Sequence, residues 1–228
     1  MATNKCIVLV PIGSHVEPEC ERGLARLETR GYVVRRVSGH AAIDQGRSQM
    51  ATDALAEGFD EIMWVDSDVD FDPDSVDRLR AHNLPIVCGI YPKKGVRALS
   101  CHLAPNTPQV VFGAGGGLLE ITYAATGFLH TRRVVYETMR EKLELPTCNE
   151  SFARPIVPYF LPMIVSRGDK PWYLGEDFSF CERARRCDFA IMADTTFRLR
   201  HIGRYGYTWE DAGSDPARYA SYTFHTKG

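Results

Sequence analysis

The chain has 228 residues, 44% hydrophobic and 25% charged, which suits a folded protein with a substantial core and argues against disorder. Its 27 basic and 29 acidic residues nearly cancel, so broad electrostatic binding to nucleic acid or an acidic membrane is not expected, although a local basic groove is allowed. Seven cysteines without a CxxC pair describe neither a disulfide framework nor a zinc site and read as reduced, mostly buried thiols.

The apolar run at residues 6–10 is too short for a signal-peptide core, and no segment reaches membrane-spanning length, so a cytoplasmic protein without a membrane span is expected. Residues 5–12, KCIVLVPI, predict a buried strand ending in Gly13 and Ser14. Residues 17–30 have the spacing of an amphipathic helix closed by Gly31, and residues 32–37 supply a second strand. This β-α-β order implies a parallel pair joined by a right-handed crossover. The intervening PIGSH lacks both glycine fingerprints for phosphate, so a nucleotide here would be gripped by loop backbone and by side chains from neighbouring strands. Residues 44–56 predict a helix with Met50, Ala51, Ala54 and Leu55 inward. Arg47 falls in its first turn, where a cation opposes the helix dipole. That misfit suggests an anionic partner such as a diphosphate, against the plain alternative of an exposed arginine with no task.

Residues 61–77, EIMWVDSDVDFDPDSVD, concentrate the chemistry. Ile62, Met63, Trp64 and Val65 suit a buried parallel strand, and the acids begin at its C-terminal end, where open α/β sheets collect ligands. An Asp-x-Asp pair there offers hard oxygens to Mg²⁺ or Mn²⁺. Asp72 is accounted for as a helix N-cap with Pro73 following it, but Asp66 and Asp68 precede the cap. A calcium loop is excluded because Phe71 stands where the turn glycine is required and Asp77 where the glutamate is.

Residues 85–91 predict another buried strand, followed by Pro92, Lys93 and Lys94, two lysines suited to phosphate, to acceptor or to water alone. Residues 110–112 and 118–123 flank a glycine run and predict a hairpin at the mixed edge of the sheet, while Leu118 in place of a third glycine excludes a dinucleotide fingerprint. Residues 132–142 predict a helix with Val134, Val135 and Met139 on its apolar face. Residues 146–171, rich in proline and carrying Phe152, Tyr159 and Phe160, predict an irregular acceptor-binding loop. Residues 174–186 predict a helix opened by Glu176 and Asp177, with Asp177 by itself reading as an N-cap. Strands are expected at 190–193 and 196–199, leading to His201, and the aromatic tail from Arg204 suits a lid.

Taken in order, the strand ending in PIG, the helix carrying Arg47, VDSDVDF, ATGFLHTRRVV, GEDFSFCERAR and ADTTFRLRHIG resemble the GT-A glycosyltransferases, in particular small bacterial and phage-type members with an Asp-x-Asp motif. The resemblance covers nearly the whole chain. It implies an α/β fold of GT-A type, a Rossmann-like α/β/α sandwich with a mostly parallel central sheet and an antiparallel edge hairpin. It also implies one domain over 1–228, with a nucleotide-binding half at 1–94, an acceptor-binding half at 95–203 and a candidate C-terminal lid at 204–228.

By the same resemblance, Pro11, Ile12, Gly13, Asp44 and Arg47 match the nucleotide pocket, Asp66 and Ser67 face the donor, and Thr126 and Gly127 lie beneath the donor sugar. Asp66, Asp68 and His201 match the positions that hold Mn²⁺ or Mg²⁺, with Asp68 coordinating directly. Asp177 matches the carboxylate that takes the acceptor proton in inverting members, and Glu176 supports it. Ser48 follows Arg47 where relatives often carry asparagine. The implied activity is metal-dependent transfer of a sugar from a UDP- or GDP-linked donor to a hydroxyl of a glycan, small molecule, protein or modified nucleic acid, with inversion. Two other classes compete. A sugar-phosphate nucleotidyltransferase would want a basic, glycine-rich loop after the first strand, where PIGSHVEPE is acidic with one glycine. A non-catalytic carbohydrate-binding domain would use the aromatic tail.

Overall fold

A computed structural model describes residues 5–213 and 221–226. In chain order, β1 (Cys6–Ile12), α1 (Pro18–Thr29) and β2 (Val33–Ser38) form the first β-α-β unit. Then come α2 (Ile43–Ala56), β3 (Glu61–Val65), β4 (Val69–Asp70), α3 (Pro73–Ala81) and β5 (Ile86–Gly89). The second half contains β6 (His102–Leu103), β7 (Gln109–Gly113), β8 (Leu118–Tyr123), β9 (Phe128–Arg132), α4 (Arg133–Lys142), β10 (Met163–Arg167), β11 (Lys170–Leu174), α5 (Glu176–Arg186) and β12 (Ile191–Asp194). The described chain closes with β13 (Arg200–Ile202), β14 (Gly206–Tyr207) and β15 (Ser221–His225).

The main sheet has the order β2-β1-β3-β9-β5-β12-β8-β6. The β1–β2, β1–β3 and β5–β12 pairs are parallel, whereas β9 runs antiparallel between β3 and β5, and β8 runs antiparallel to β12 and β6. All strands but β9 and β8 therefore point one way. Helices cover both faces. Ile7, Leu9, Ile62 and Trp64 pack with Met50, Val135 and Phe180 of α2, α4 and α5, while Val8, Val10, Met63 and Val65 pack with Leu24 and Val76 of α1 and α3. Burial on both sides explains why these strands are continuous apolar runs instead of alternating ones. The fold is a Rossmann-like α/β/α sandwich, with β9 reversed in the middle of the sheet and antiparallel pairing again at the β12–β8–β6 edge.

Helix starts follow local chemistry. Asp72 caps α3 by accepting from the Asp74 amide at 3.0 Å, with Pro73 at the first helical position. Gly175, not Asp177, is the N-cap of α5, which moves Asp177 into the first turn.

Several predicted details differ. The strands at 109–113 and 118–123 exist but do not pair with each other: β7 pairs antiparallel with β15, and β8 joins the main sheet. The glycine run between them wraps around Thr195, whose hydroxyl receives the Gly117 amide at 3.0 Å, while Gly113 donates to the Thr195 carbonyl at 2.8 Å. Within 146–171, the expected loop, Tyr159 and Phe160 are core residues, and β10 and β11 form an antiparallel hairpin; of the three aromatics singled out there, Phe152 alone projects, at 78% exposure. On α4 it is Tyr136, not Val134, that joins Val135 and Met139 inside. The stretch 196–199 is not a strand, because Asp194 accepts the Thr196 amide at 2.8 Å and turns the chain; His201 lies within β13.

Of the 204–228 segment expected as a lid, residues 214–220 and 227–228 lie outside the described residues. Trp209 is buried, stacks on Phe112 at 4.8 Å and donates to the Ile90 carbonyl at 3.3 Å.

Candidate active site

The acidic turn after β3 is held in place by backbone. Asp66 donates its amide to the Gly127 carbonyl at 2.9 Å, Ser67 accepts from the Glu17 amide at 2.8 Å, and the Asp68 carbonyl accepts from Ile202 at 2.7 Å. Because β9 runs antiparallel to β3, its entry, Thr126 and Gly127, arrives at the C-terminal end of β3. β4 pairs with β13, with His201 opposite Val69, and this brings the late histidine to the Asp-x-Asp turn.

Arg47 lies under this turn with its side chain only 4% exposed. Its Nη2 donates to Asp66 Oδ1 at 2.7 Å, its Nε is 3.9 Å from Glu176 Oε1, and its Cζ sits 5.6 Å from the centre of the Trp64 ring. Burial opposes its charge, but Asp66 and Glu176 outweigh that and hold the guanidinium ionised. Among the described residues, Arg47 Nε and Nη1 and the buried hydroxyl of Thr126 have no hydrogen-bond partner. Buried donors without partners are uncommon in native structures. Asp66, expected among the metal-binding residues, is thus directed at Arg47.

Asp177 accepts the Phe178 amide at 2.8 Å. Burial, then the neighbouring Glu176, push its carboxyl up to about 6, against the pull of the Phe178 amide and Arg47. Tyr91 is fully enclosed, and burial with the nearby charges of Asp66 and Asp177 drives its phenol well above the ordinary range, so it remains a protonated hydrogen-bond donor. Gly127 is required by close approach: a Cβ there would stand 2.6 Å from Asp66 Oδ2 and inside the envelope of the Tyr91 hydroxyl.

Asp68 and His201 face one another, with Oδ1 3.5 Å from Nε2. His201 Nδ1 is 2.9 Å from the Pro92 carbonyl, which only accepts, so Nδ1 carries a proton and Nε2 is the nitrogen turned toward Asp68. An imidazole oriented through its other nitrogen by a carbonyl is a common arrangement for a metal ligand. Burial favours a neutral Asp68, but hydrogen bonds and charge from His201 and Lys94 prevail and hold its carboxyl down at about 2. Asp68 Oδ2 accepts from Lys94 Nζ at 2.6 Å. The donor set therefore fits a divalent cation through two protein groups; among the described residues, no group of three or more His, Cys, Asp or Glu is arranged to hold one.

Pro11 is buried at the end of β1, Ile12 and Asp44 are half-buried, and Gly13 is exposed with open space around it. Tyr91 and Pro92 are not legible in the sequence as site residues, whereas Lys94, following a strand end, reads as suited to phosphate, to acceptor or to water alone. The cavity lined by Lys5, Tyr32 and Arg80 lies at the other end of the strands, and Arg80 there is paired with Glu61.

No protein-family model matches the sequence, and no curated protein matches it. Among solved structures, A197 from STIV is similar with a TM-score of 0.56 and 16% identity, over 94% of this chain and 97% of that one, which shows a shared fold. Weaker likenesses include a glycosyltransferase involved in the glycosylation of the major capsid of PBCV-1, at TM-score 0.34 and 16% identity over 60% of this chain and 64% of that one. A UDP-glucose pyrophosphorylase complexed with UDP-glucose has TM-score 0.38 and 12% identity over 92% of this chain and 76% of that one. No helix among the described residues is long and apolar enough to cross a membrane.

Proposed function

We propose that the chain is a glycosyltransferase that moves a sugar from a UDP- or GDP-linked donor to an acceptor hydroxyl, with inversion, and that Asp68 and His201 hold Mn²⁺ or Mg²⁺. The supporting observation is the opposed pair Asp68 Oδ1 and His201 Nε2 at 3.5 Å, with the histidine's other nitrogen committed to Pro92. A hard carboxylate beside an oriented imidazole suits a divalent ion that keeps its other positions for phosphate and water. When bound, such an ion neutralises charge developing on the departing diphosphate.

The chain's own groups then divide the work. Arg47 offers the N–H donors of its unpartnered Nε and Nη1 to anionic donor oxygens, and Asp66 and Glu176 hold it in position. Asp177, with its carboxyl near 6, is mostly ionised at neutral pH yet basic enough to take the acceptor proton. The 1–94 half would hold the nucleotide and the 95–203 half the acceptor.

The test is a panel of nucleotide sugars scored by thermal shift with and without Mn²⁺, followed by product analysis. Stabilisation by one donor that needs Mn²⁺ and is lost in Asp68→Ala, with nucleoside diphosphate as product, is expected. Pyrophosphate formed from a triphosphate and a sugar phosphate would identify a nucleotidyltransferase. Sugar binding that persists after chelation, without turnover, would identify a binding domain.

A further inference from the structure

We infer that Lys94 is a resident counter-ion of Asp68 that competes with the divalent cation for this carboxylate, so that the ion binds weakly until an anionic ligand draws the ammonium away. This rests on Asp68 and His201 forming the ion site. The Asp68 carboxylate is divided between two neighbours, with Oδ2 2.6 Å from Lys94 Nζ and Oδ1 3.5 Å from His201 Nε2. An ion between Oδ1 and Nε2 would therefore meet a unit positive charge on the other oxygen of the same carboxylate.

An exposed lysine–aspartate pair usually contributes little, because both side chains are free to leave. Lys94 is more constrained. Its stem runs past Gly203, where a Cβ would stand 3.1 Å from Lys94 Cδ and 3.3 Å from a ring carbon of Tyr207. The turn that carries it is closed by the Lys93 amide donating to the Ala98 carbonyl at 2.8 Å and by the Pro92–Leu99 bridge. Thus the His201-Ile202-Gly203 stretch supplies both the imidazole and the groove for the lysine. The Lys94 side chain is still 34% exposed, so its ammonium sits at the rim, within reach of an incoming ligand. A diphosphate that recruits Lys94 would free Asp68 for the ion, and by linkage the ion would then tighten the diphosphate.

The experiment measures Mn²⁺ binding to the protein alone by the electron paramagnetic resonance signal of the free ion. Wild type is compared with Lys94→Met, which keeps the stem, with Lys94→Arg, which keeps the charge, and with Asp68→Asn in the wild-type and Lys94→Met backgrounds. Melting curves without metal verify that each variant folds. Removing one adjacent like charge in a partly screened site is expected to tighten Mn²⁺ about tenfold in Lys94→Met. Lys94→Arg should bind as wild type does, and Asp68→Asn should abolish binding in both backgrounds. If Lys94→Met binds no more tightly than wild type while Asp68→Asn still abolishes binding, the counter-ion role is wrong and the ion site stands. If neither wild type nor Lys94→Met binds Mn²⁺ through Asp68, the ion site fails and the competition with it.

Discussion

Arg47 and Asp66 form an ion pair at 2.7 Å beneath the Asp-x-Asp turn, and the same guanidinium reaches to 3.9 Å from Glu176. One buried cation from α2 thereby ties the end of β3 to the start of α5, two segments far apart in the sequence. Such a cation is stable only while its partners remain, because a buried charge left alone carries its full desolvation cost.

Replacing Arg47 with Met is therefore expected to destabilise the protein by about 2–4 kcal/mol, since Asp66 and Glu176 would each lose their counter-charge. Asp66→Asn should also destabilise, and the double variant should cost less than the sum of the two. Urea denaturation of the four proteins measures this. Full additivity would mean that the two residues do not act as a pair.

The raised carboxyl of Asp177 gives a prediction in pH. If Asp177 is the base, kcat/KM falls about tenfold per pH unit below an apparent value of about 6, not near the ordinary 3.8, and Asp177→Asn is inactive at every pH while still binding donor. The sign for stability runs the other way. Folding disfavours ionisation here, so the contribution of this group is fully present below 3.8 and is lost as pH rises through about 6. Asp177→Asn should then melt higher than wild type at pH 8 and about the same at pH 4. An acid limb near 4 in the rate profile would return Asp177 to a structural role.

The sequence made the strands at the centre of the sheet legible because β1, β3 and β5 are buried on both faces and leave unbroken apolar runs. Asp68 and Asp66 stood out because acids begin abruptly where β3 ends. Other features depend on tertiary partners. Phe160 reads as part of a proline-rich loop, yet it stacks on Phe180 at 4.6 Å and meets Trp64 edge-on, so contacts from distant segments override the local composition. The glycine run at 113–117 looks like a hairpin turn until Thr195, distant in sequence, is found inside it. Asp66 resembles Asp68 in sequence, but the fold gives the two carboxylates different partners, Arg47 for one and Lys94 for the other. Tyr91 carried no signal as a site residue, since an aromatic at the end of a buried strand is ordinary core until its hydroxyl is located.

Gly127 offers the sharpest test of how closely the site is packed. Its backbone holds Asp66 through the 2.9 Å amide–carbonyl bond, and its missing side chain leaves room for Asp66 Oδ2 and the Tyr91 hydroxyl. Tyr91 is buried and its ring meets His201 edge-on at 5.0 Å, so it has little freedom to retreat. Gly127→Ala is accordingly expected to cost about 1–3 kcal/mol, the usual range for overpacking a close-packed site, and to weaken donor binding by shifting Asp66 and Arg47 together. Tyr91→Phe removes the nearest obstructing atom, so the Gly127→Ala/Tyr91→Phe protein should recover part of the lost stability. Because the hydroxyl is also a protonated donor among Asp66 and Asp177, that rescue in melting temperature should not restore turnover. Thermal melts and a turnover assay on the single and double variants separate the two effects. A Gly127→Ala protein as stable and active as wild type would show that the floor of the site can yield, and would remove close approach as the reason for glycine at this position.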